Sequence, residues 1–252
     1  MMKTAFITGA TSGIGKAVAL RLAKEGIRLI INGRRRDRLD ELKTTIGSMY
    51  GVETIALPFD VRNYGDVQQA FDSLPEGWRD IDILVNNAGL AVGLEPLHEG
   101  VVDDWERMID TNIKGLLYVT RVVSPVMVSR QSGHIINIGS IAGRNVYPNG
   151  GVYCATKYAV GALSQAMRMD FLPYGIRVTQ ICPGAVETEF SIVRFKGDRD
   201  RAGRVYEGFE PLGAADIAEA VAYAVLQPPH VDIQDVLVMP SAQANAGMFK
   251  RC

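Results

Sequence analysis

Short apolar runs and longer amphipathic stretches alternate along this chain of 252 residues. The runs are Lys3–Thr8, Arg28–Ile31, Glu53–Phe59, Ile81–Val85, His134–Ile138, Arg177–Ile181 and Asp235–Met239. Their brevity and their Ile, Val and Leu content predict β-strands. Between them, apolar residues recur at helical spacing over Ile14–Glu25, Arg36–Ile46, Tyr64–Leu74, Asp104–Arg130, Val152–Leu172 and Ala214–Leu226. Strands that are apolar throughout need cover on both faces, and helices between strands provide it. The pattern predicts an α/β fold: a Rossmann-like, doubly wound parallel sheet with helices on both faces. No Ser/Pro-rich linker, internal repeat or low-complexity tract interrupts it, so residues 1–252 are expected to form a single domain.

One segment breaks the alternation. Residues 186–210 are rich in glycine and in both charge signs, and they follow Pro183-Gly184 at the end of a strand. Ligands of open α/β sheets bind beyond the carboxyl ends of strands. A long insertion at such a place is expected to act as a mobile lid.

Composition narrows the function. The net charge is −1, which gives no broad basic field for nucleic acid or an anionic membrane. The basic cluster Arg34–Arg38 has no interleaved aromatics, which argues against a nucleic-acid surface. No run of ~18 apolar residues is present to span a bilayer. The opening MMKTAFITGATSGIG has an apolar run that ends at Gly9, too short for a signal peptide. His98, His134 and His230 are scattered, and Cys154, Cys182 and Cys252 have no CxxC spacing. No metal is expected, and reduced thiols in a cytoplasm are the simplest reading.

The first strand runs into TGATSGIG, residues 8–15, at a strand–helix junction. Glycines allow a tight turn and a close backbone approach, and the helix N-terminus offers free N–H groups to a pyrophosphate. The spacing differs from the GxGxxG fingerprint. The second strand leads to Asn32-Gly33 and then to Arg34, Arg35 and Arg36. NAD sites often carry an acid here for the ribose hydroxyls. Cations crowded at a helix start conflict with its dipole, and a bound 2′-phosphate relieves the conflict. NADP is therefore favoured over NAD, with Arg34 and Arg35 as the phosphate ligands. Asp60, after the third strand, is placed to accept a bond from the adenine amino group.

Three further stretches fall at or just beyond carboxyl ends of strands: NNAG at 86–89, SIAG at 140–143 and YCATK at 153–157. Tyr153 and Lys157 share one face of a helix at i, i+4 spacing. A nearby ammonium favours the phenolate, and each pKa unit needs about 1.4 kcal/mol of differential interaction. Tyrosine thereby becomes a plausible acid–base group at neutral pH.

Taken with Asp60, Asn112 and Pro183-Gly184, these motifs make the chain resemble the short-chain dehydrogenases/reductases of the TGxxxGxG and YxxxK type, over essentially its whole length. The resemblance implies a catalytic set of Ser140, Tyr153, Lys157 and Asn112. Tyr153 would protonate a substrate carbonyl oxygen as hydride arrives, and Ser140 would hydrogen-bond the same oxygen. Lys157 would hold the nicotinamide ribose and lower the Tyr153 pKa, and Asn112 would help hold a proton-relaying water. Cofactor contacts are implied for Gly9, Thr11, Ser12, Gly13, Ile14, Gly15, Arg34, Arg35, Asp60, Val61, Asn87, Ala88, Gly89, Tyr153, Lys157, Pro183, Gly184 and Val186, and for Thr188 at the ring carboxamide.

The stretches LPEGWRDIDILVNNAGLAVG, WERMIDTNIKGLLYVTR, HIINIGSIAG and EFSIVRFKGD resemble the NADP-dependent 3-hydroxy acid dehydrogenases, which act on L-serine and L-allo-threonine and reduce malonic semialdehyde. Sulfoacetaldehyde reductases are a neighbouring group. Such substrates need a cation in the pocket, and Arg194 is the first candidate, with Lys196 and Arg144 in reserve. Substrate contacts are expected from Ser140, Tyr147 and Arg194. A 3-oxoacyl-thioester reductase is the rival, but the closing VLVMPSAQANAGMFKRC lacks that group's glycine-rich end. A non-catalytic NADP-binding sensor would be expected to lack Tyr153, Lys157 or Ser140, and all three are present.

The helical stretches Asp104–Arg130 and Val152–Leu172 are apolar on more than one face. Met108, Ile109, Ile113, Leu116, Leu117, Val122, Val123, Val126 and Met127 exceed one stripe on the first, as do Val160, Leu163, Met167 and Met169 on the second. In the family these helices meet between subunits, which implies a homotetramer.

Overall fold

The computed structural model describes residues 2–252. Seven parallel strands form one sheet in the order β3-β2-β1-β4-β5-β6-β7. They are β1 (Thr4–Ile7), β2 (Arg28–Gly33), β3 (Thr54–Pro58), β4 (Ile83–Asn86), β5 (Gly133–Ile138), β6 (Ile176–Pro183) and β7 (Asp235–Val238). All of them lie in or beside the predicted runs.

The apolar runs serve two cores because side chains alternate across a strand. Ala5, Ile7, Leu29, Ile31 and Ile136 face one layer, with α1 (Gly13–Lys24), α2 (Arg36–Tyr50) and α9 (Ala214–Val225). Phe6, Ile30, Leu84, Ile135 and Val178 face the other, with α3 (Tyr64–Asp72), α5 (Leu116–Arg130) and α6 (Gly151–Phe171). Alternation within a continuous apolar run is the signature of a sheet buried on both sides.

The long predicted helix Asp104–Arg130 is divided. It consists of α4 (Val102–Ile109), a π-helical turn over Asp110–Gly115, and α5. The wide turn lies beside the cleft, where Gly115 packs so closely on Val61 that a Cβ would sit 2.7 Å from its Cγ2. Asn112 lies within the turn and reaches out to the loop after β4. Hydrophobic periodicity does not register a turn of this kind, because the side chains on either side keep their helical spacing.

Most of the apolar excess on these helices is satisfied within the chain. Met108, Leu116, Val122, Val123, Met127, Val160 and Met167 are buried. Ile109, Leu117 and Met169 remain exposed, and Leu172 lies open beside them in sequence order. Residues 186–210 are partly helical rather than a bare loop, with α7 (Glu189–Arg194) and α8 (Arg199–Arg204). A parallel bridge between Val186 and Leu212 closes the base of the insertion. Among the described residues, no helix is long and apolar enough to cross a membrane.

His134 begins β5 within the sheet, with Nε2 hydrogen-bonded to Thr179 Oγ1 at 2.8 Å and Nδ1 without a partner. Burial, helped by Arg177 and Lys3, pushes its imidazole down to about 3. The unfolded chain takes up this proton near the ordinary value of 6.5 and the folded chain does not. Stability is therefore expected to fall as pH drops through 6.5 toward 3. Urea midpoints measured at pH 7 and pH 5 check this: the drop should be smaller in His134→Gln than in the natural protein.

Candidate active site

The strand order reverses between β1 and β4. Chains leaving these two neighbours go to opposite faces, which opens a crevice at their carboxyl ends. A cavity of about 350 Å³ occupies it. Its walls are the glycine-rich turn, the start of α2, Asn87–Leu90, Gly139-Ser140, Tyr153, Lys157, Pro183-Gly184 and the first residues of α7.

The glycine-rich turn is held in place from below. Thr8 Oγ1 accepts from the Asn87 and Ala88 amides, each at 3.0 Å, and donates to the Val85 carbonyl. Asn87 Nδ2 donates to the carbonyls of Thr8 and Gly9. Asn87, expected as a cofactor contact, thus also locks the turn. Gly9 has φ +66, and a Cβ there would lie 2.9 Å from Ala88 Cα. Gly15 does not line the cavity, contrary to expectation. It makes room for the Gly9 carbonyl and the Asn87 amide, which a Cβ would overlap. Thr11, Ser12, Gly13 and Ile14 do face the cavity, as do Val61, Ala88, Gly89, Val186 and Thr188.

Arginine lines the end of the cavity beyond β2. Arg34 is well exposed, and its nearest acid is Asp60 at 3.9 Å. Arg35 donates to Thr11 Oγ1 at 2.9 Å and to Ser12 Oγ at 3.0 Å. Its other arm holds Glu189 of α7 at 3.0 Å, and Arg38 holds the same carboxylate at 2.6 Å. Asp60 lines the cavity, but Arg62 grips its carboxylate from the side. Burial pushes the Asp60 pKa up, and the bonds and charge of Arg62 outweigh burial and bring it below the ordinary carboxylate value. The turn, where bare backbone faces open space, and the exposed Arg34 fork, paired only at 3.9 Å with Asp60, suit a dinucleotide that carries a 2′-phosphate.

At the other end, Ser140 caps the short turn after β5, where its Oγ accepts from the Ala142 amide at 3.1 Å. The hydroxyl proton is free to point elsewhere. Tyr153 and Lys157 project from α6 into the cavity. Lys157 Nζ donates to the Ile138 carbonyl at 2.9 Å and lies 6.0 Å from the Tyr153 ring centre. Asn112 Oδ1 accepts from Leu90 N at 2.8 Å, while Nδ2 donates to Leu90 O and to Thr156 Oγ1. Asn112 therefore ties the β4 loop to α6, with its Oδ1 close to Gly89.

The protein's own groups set the direction in which the Tyr153–Lys157 pair titrates. Burial raises the Tyr153 phenol, the neighbouring Tyr147 adds to this, and Ser140 and Arg194 pull the other way. The cation that pulls it down is Arg194. The Lys157 amine is pushed down to about 8, chiefly by burial. A dry pocket disfavours phenolate and ammonium alike.

Arg194, at the end of α7, donates from Nη2 to Tyr147 Oη at 2.8 Å. Its guanidinium lies 5.3 Å from the Tyr147 ring centre and 5.7 Å from that of Tyr153. Its Nε is buried without a hydrogen-bond partner. Neither of these expected substrate contacts lines the cavity itself: Tyr147 supports Arg194, and Arg194 reaches the site by its place over the Tyr153 ring. The two reserve cations are committed elsewhere: Lys196 to Asp104 at 2.7 Å, and Arg144 to Asp235. Phe190, absent from the sequence reading, packs 5.6 Å from the Tyr153 ring and walls the cavity. Nothing in a lone Phe within a charged segment marks it in advance.

The family model for short chain dehydrogenases matches residues 3–198. The NADP-dependent 3-hydroxy acid dehydrogenase YdfG of Salmonella typhimurium is 50% identical over 243 residues, 96% of either chain. The NADP-dependent 3-hydroxy acid dehydrogenase of Schizosaccharomyces pombe is 43% identical, covering 99% of this chain and 96% of its own. Among solved structures, the closed form of a serine dehydrogenase complexed with NADP+ superposes with a TM-score of 0.93 at 46% identity and 99% coverage of both chains.

Gly15→Ala is expected to destabilise the fold by roughly 2–3 kcal/mol, since neither the Gly9 carbonyl nor the Asn87 amide has room to retreat. Denaturant melts compared with Gly26→Ala check it, because Gly26 has nothing within 4 Å of a Cβ and is strained only by its φ of +72.

Proposed function

The chain belongs to the short-chain dehydrogenase family, and from that membership we propose an NADP-dependent oxidoreductase acting on the CH–OH group of small 3-hydroxy acids. In the reverse direction it reduces the matching 3-oxo acids or semialdehydes. The observation that carries the substrate class is Arg194, a guanidinium with a buried, unpartnered Nε stacked against Tyr153. A half-buried guanidinium with that nitrogen unpaired, and with no ion-pair partner among the described residues, calls for an anionic ligand. A carboxylate one carbon removed from the reacting centre meets that need while its carbonyl faces Tyr153.

NADP(H), when bound, supplies or accepts the hydride. Thr11–Gly13 and the start of α1 would hold its phosphates, and Arg34 and Arg35 would hold the 2′-phosphate. The protein's own groups handle the proton and the oxygen. The Ser140 hydroxyl, fixed by the Ala142 amide, donates to the substrate oxygen. The Tyr153 phenol, kept protonated by burial, gives its proton to that oxygen during reduction and takes it back during oxidation. Lys157 keeps its donors beyond the Ile138 bond for ribose hydroxyls, and its amine near 8 changes charge close to neutrality. Asn112, beside Gly89, holds the geometry through which a proton-relaying water would reach Lys157. Arg194 and Tyr147 fix the acid group. Phe190 keeps water from the phenol.

The enzyme is expected to work in the cytoplasm, in keeping with its three unpaired thiols. Its assembly is a homotetramer, supported by the exposed Ile109, Leu117, Met169 and Leu172. Sedimentation at micromolar concentration should show a single species of four chains, and a monomer would overturn this.

Loss of NADPH absorbance is expected with malonic semialdehyde and not with an acetoacetyl thioester. Turnover of the thioester alone would move the protein to acyl-chain chemistry. Tyr153→Phe should abolish turnover while coenzyme still binds. Arg194→Met should raise KM for the semialdehyde about 10- to 100-fold, the worth of one charged hydrogen-bonded pair. An uncharged aldehyde of equal length should be unaffected by that change.

A further inference from the structure

We propose that Glu189 is an internal competitor of the coenzyme's 2′-phosphate, borne on the lid, and that it links coenzyme selection to the placement of Arg194. The inference rests on the NADP reading above. Glu189 is separated by more than 150 residues from Arg35 and Arg38, yet its two carboxylate oxygens are taken one by each guanidinium. Arg35 spends its other donors on Thr11 and Ser12 in the glycine-rich turn. The only arm it has for a phosphate is therefore the one that holds Glu189. A carboxylate gripped by two arginine forks imitates a phosphate in charge and geometry. It also relieves the crowding of cations at the start of α2. These arginines pull the Glu189 carboxyl below its ordinary pKa, Arg38 first, so it stays an anion at any working pH.

The consequence extends along α7. This single helix begins with Glu189 and ends with Arg194. Phe190 next to Glu189 packs on the Tyr153 ring, and the Arg194 carbonyl accepts from the Gly93 amide at 3.0 Å. One end of α7 is tied to the phosphate arginines and the other stands over the catalytic phenol. A 2′-phosphate that takes Arg35 must displace Glu189 or share its partner, and either event loosens the same six-residue helix that carries Arg194. Coenzyme without the 2′-phosphate leaves the latch closed. Glu189 thus sets how strongly the 2′-phosphate is preferred, and it reports that phosphate to the substrate side.

The test uses calorimetric titration of the full chain with adenosine 2′,5′-bisphosphate and with 5′-AMP. Glu189→Gln keeps the shape and removes the charge from a half-exposed side chain, so the fold should survive. Its affinity for the bisphosphate is expected to rise about tenfold, the scale of one screened like-charge contact with a dianion, while affinity for 5′-AMP stays unchanged. Glu189→Asp, which keeps the charge but shortens the reach, should fall between. Amide hydrogen exchange over residues 189–194 should speed up when the natural protein binds the bisphosphate, and should already be fast in Glu189→Gln. A preserved preference for the bisphosphate with an unchanged or reduced ratio in Glu189→Gln overturns the competitor role. Exchange that the bisphosphate does not move overturns the link to Arg194. If the natural protein does not distinguish bisphosphate from 5′-AMP, the NADP reading falls and this inference falls with it.

Discussion

The pairing of β1 with β4 in the middle of the sheet is the constraint on which the rest depends. Ala5, Phe6 and Ile7 register with Ile83, Leu84 and Val85, and the two strands end side by side. One chain then departs to α1 and the other to the loop that Asn112 holds. The gap between them is where ligand can enter. Thr8 and Asn87 stitch the two strand ends together with side-chain to backbone bonds, so the cradle for phosphate and the floor of the catalytic end form one rigid piece. Gly15 and Gly9 are needed because two backbones approach here more closely than a Cβ allows.

Water exclusion then governs the chemistry. Tyr153, Lys157 and Ser140 are all buried, and so is the Nε of Arg194. In such a place a proton is costly to remove from the phenol and easy to remove from the amine. The protein's own groups accordingly hold the phenol protonated and move the amine toward neutrality. A positive charge brought in with the coenzyme would shift both balances, so full acid–base competence belongs to the assembled site and not to the YxxxK pair alone. The insertion at residues 186–210 contributes to the same pocket. It supplies Phe190 as a wall and Arg194 as a cation, its ion pairs hold it to the start of α2 and to α4, and a backbone hydrogen bond ties Arg194 to Gly93.

Much of this was readable from the residues. The strands came from apolar runs, and the helices from their periodicity, because a sheet covered on both faces leaves a strong and local pattern. Gly9–Gly15, Tyr153 and Lys157 stood out as candidates because the glycine turn and the i, i+4 pair have requirements that are local in sequence, whereas Ser140 was a candidate only through the family resemblance. The π-turn at Asp110–Gly115 was hidden, since it preserves the hydrophobic stripe on either side. The supposed excess of apolar residues on α5 and α6 was largely intramolecular, because these helices face both the sheet and each other's neighbours.

The sequence by itself determined the parallel α/β architecture, the order of its motifs and the chemistry those motifs offer. Each of these depends on short-range periodicity or on backbone requirements met within a few residues. Only the tertiary structure decided which charges are spent. Arg144 and Lys196 are neutralised by Asp235 and Asp104, Arg35 and Arg38 share Glu189, and Arg194 is left without an acid. It also decided the direction in which Tyr153 and Lys157 titrate. Pairing and desolvation are matters of a few ångströms between segments far apart in the chain, and no spacing along the sequence encodes them.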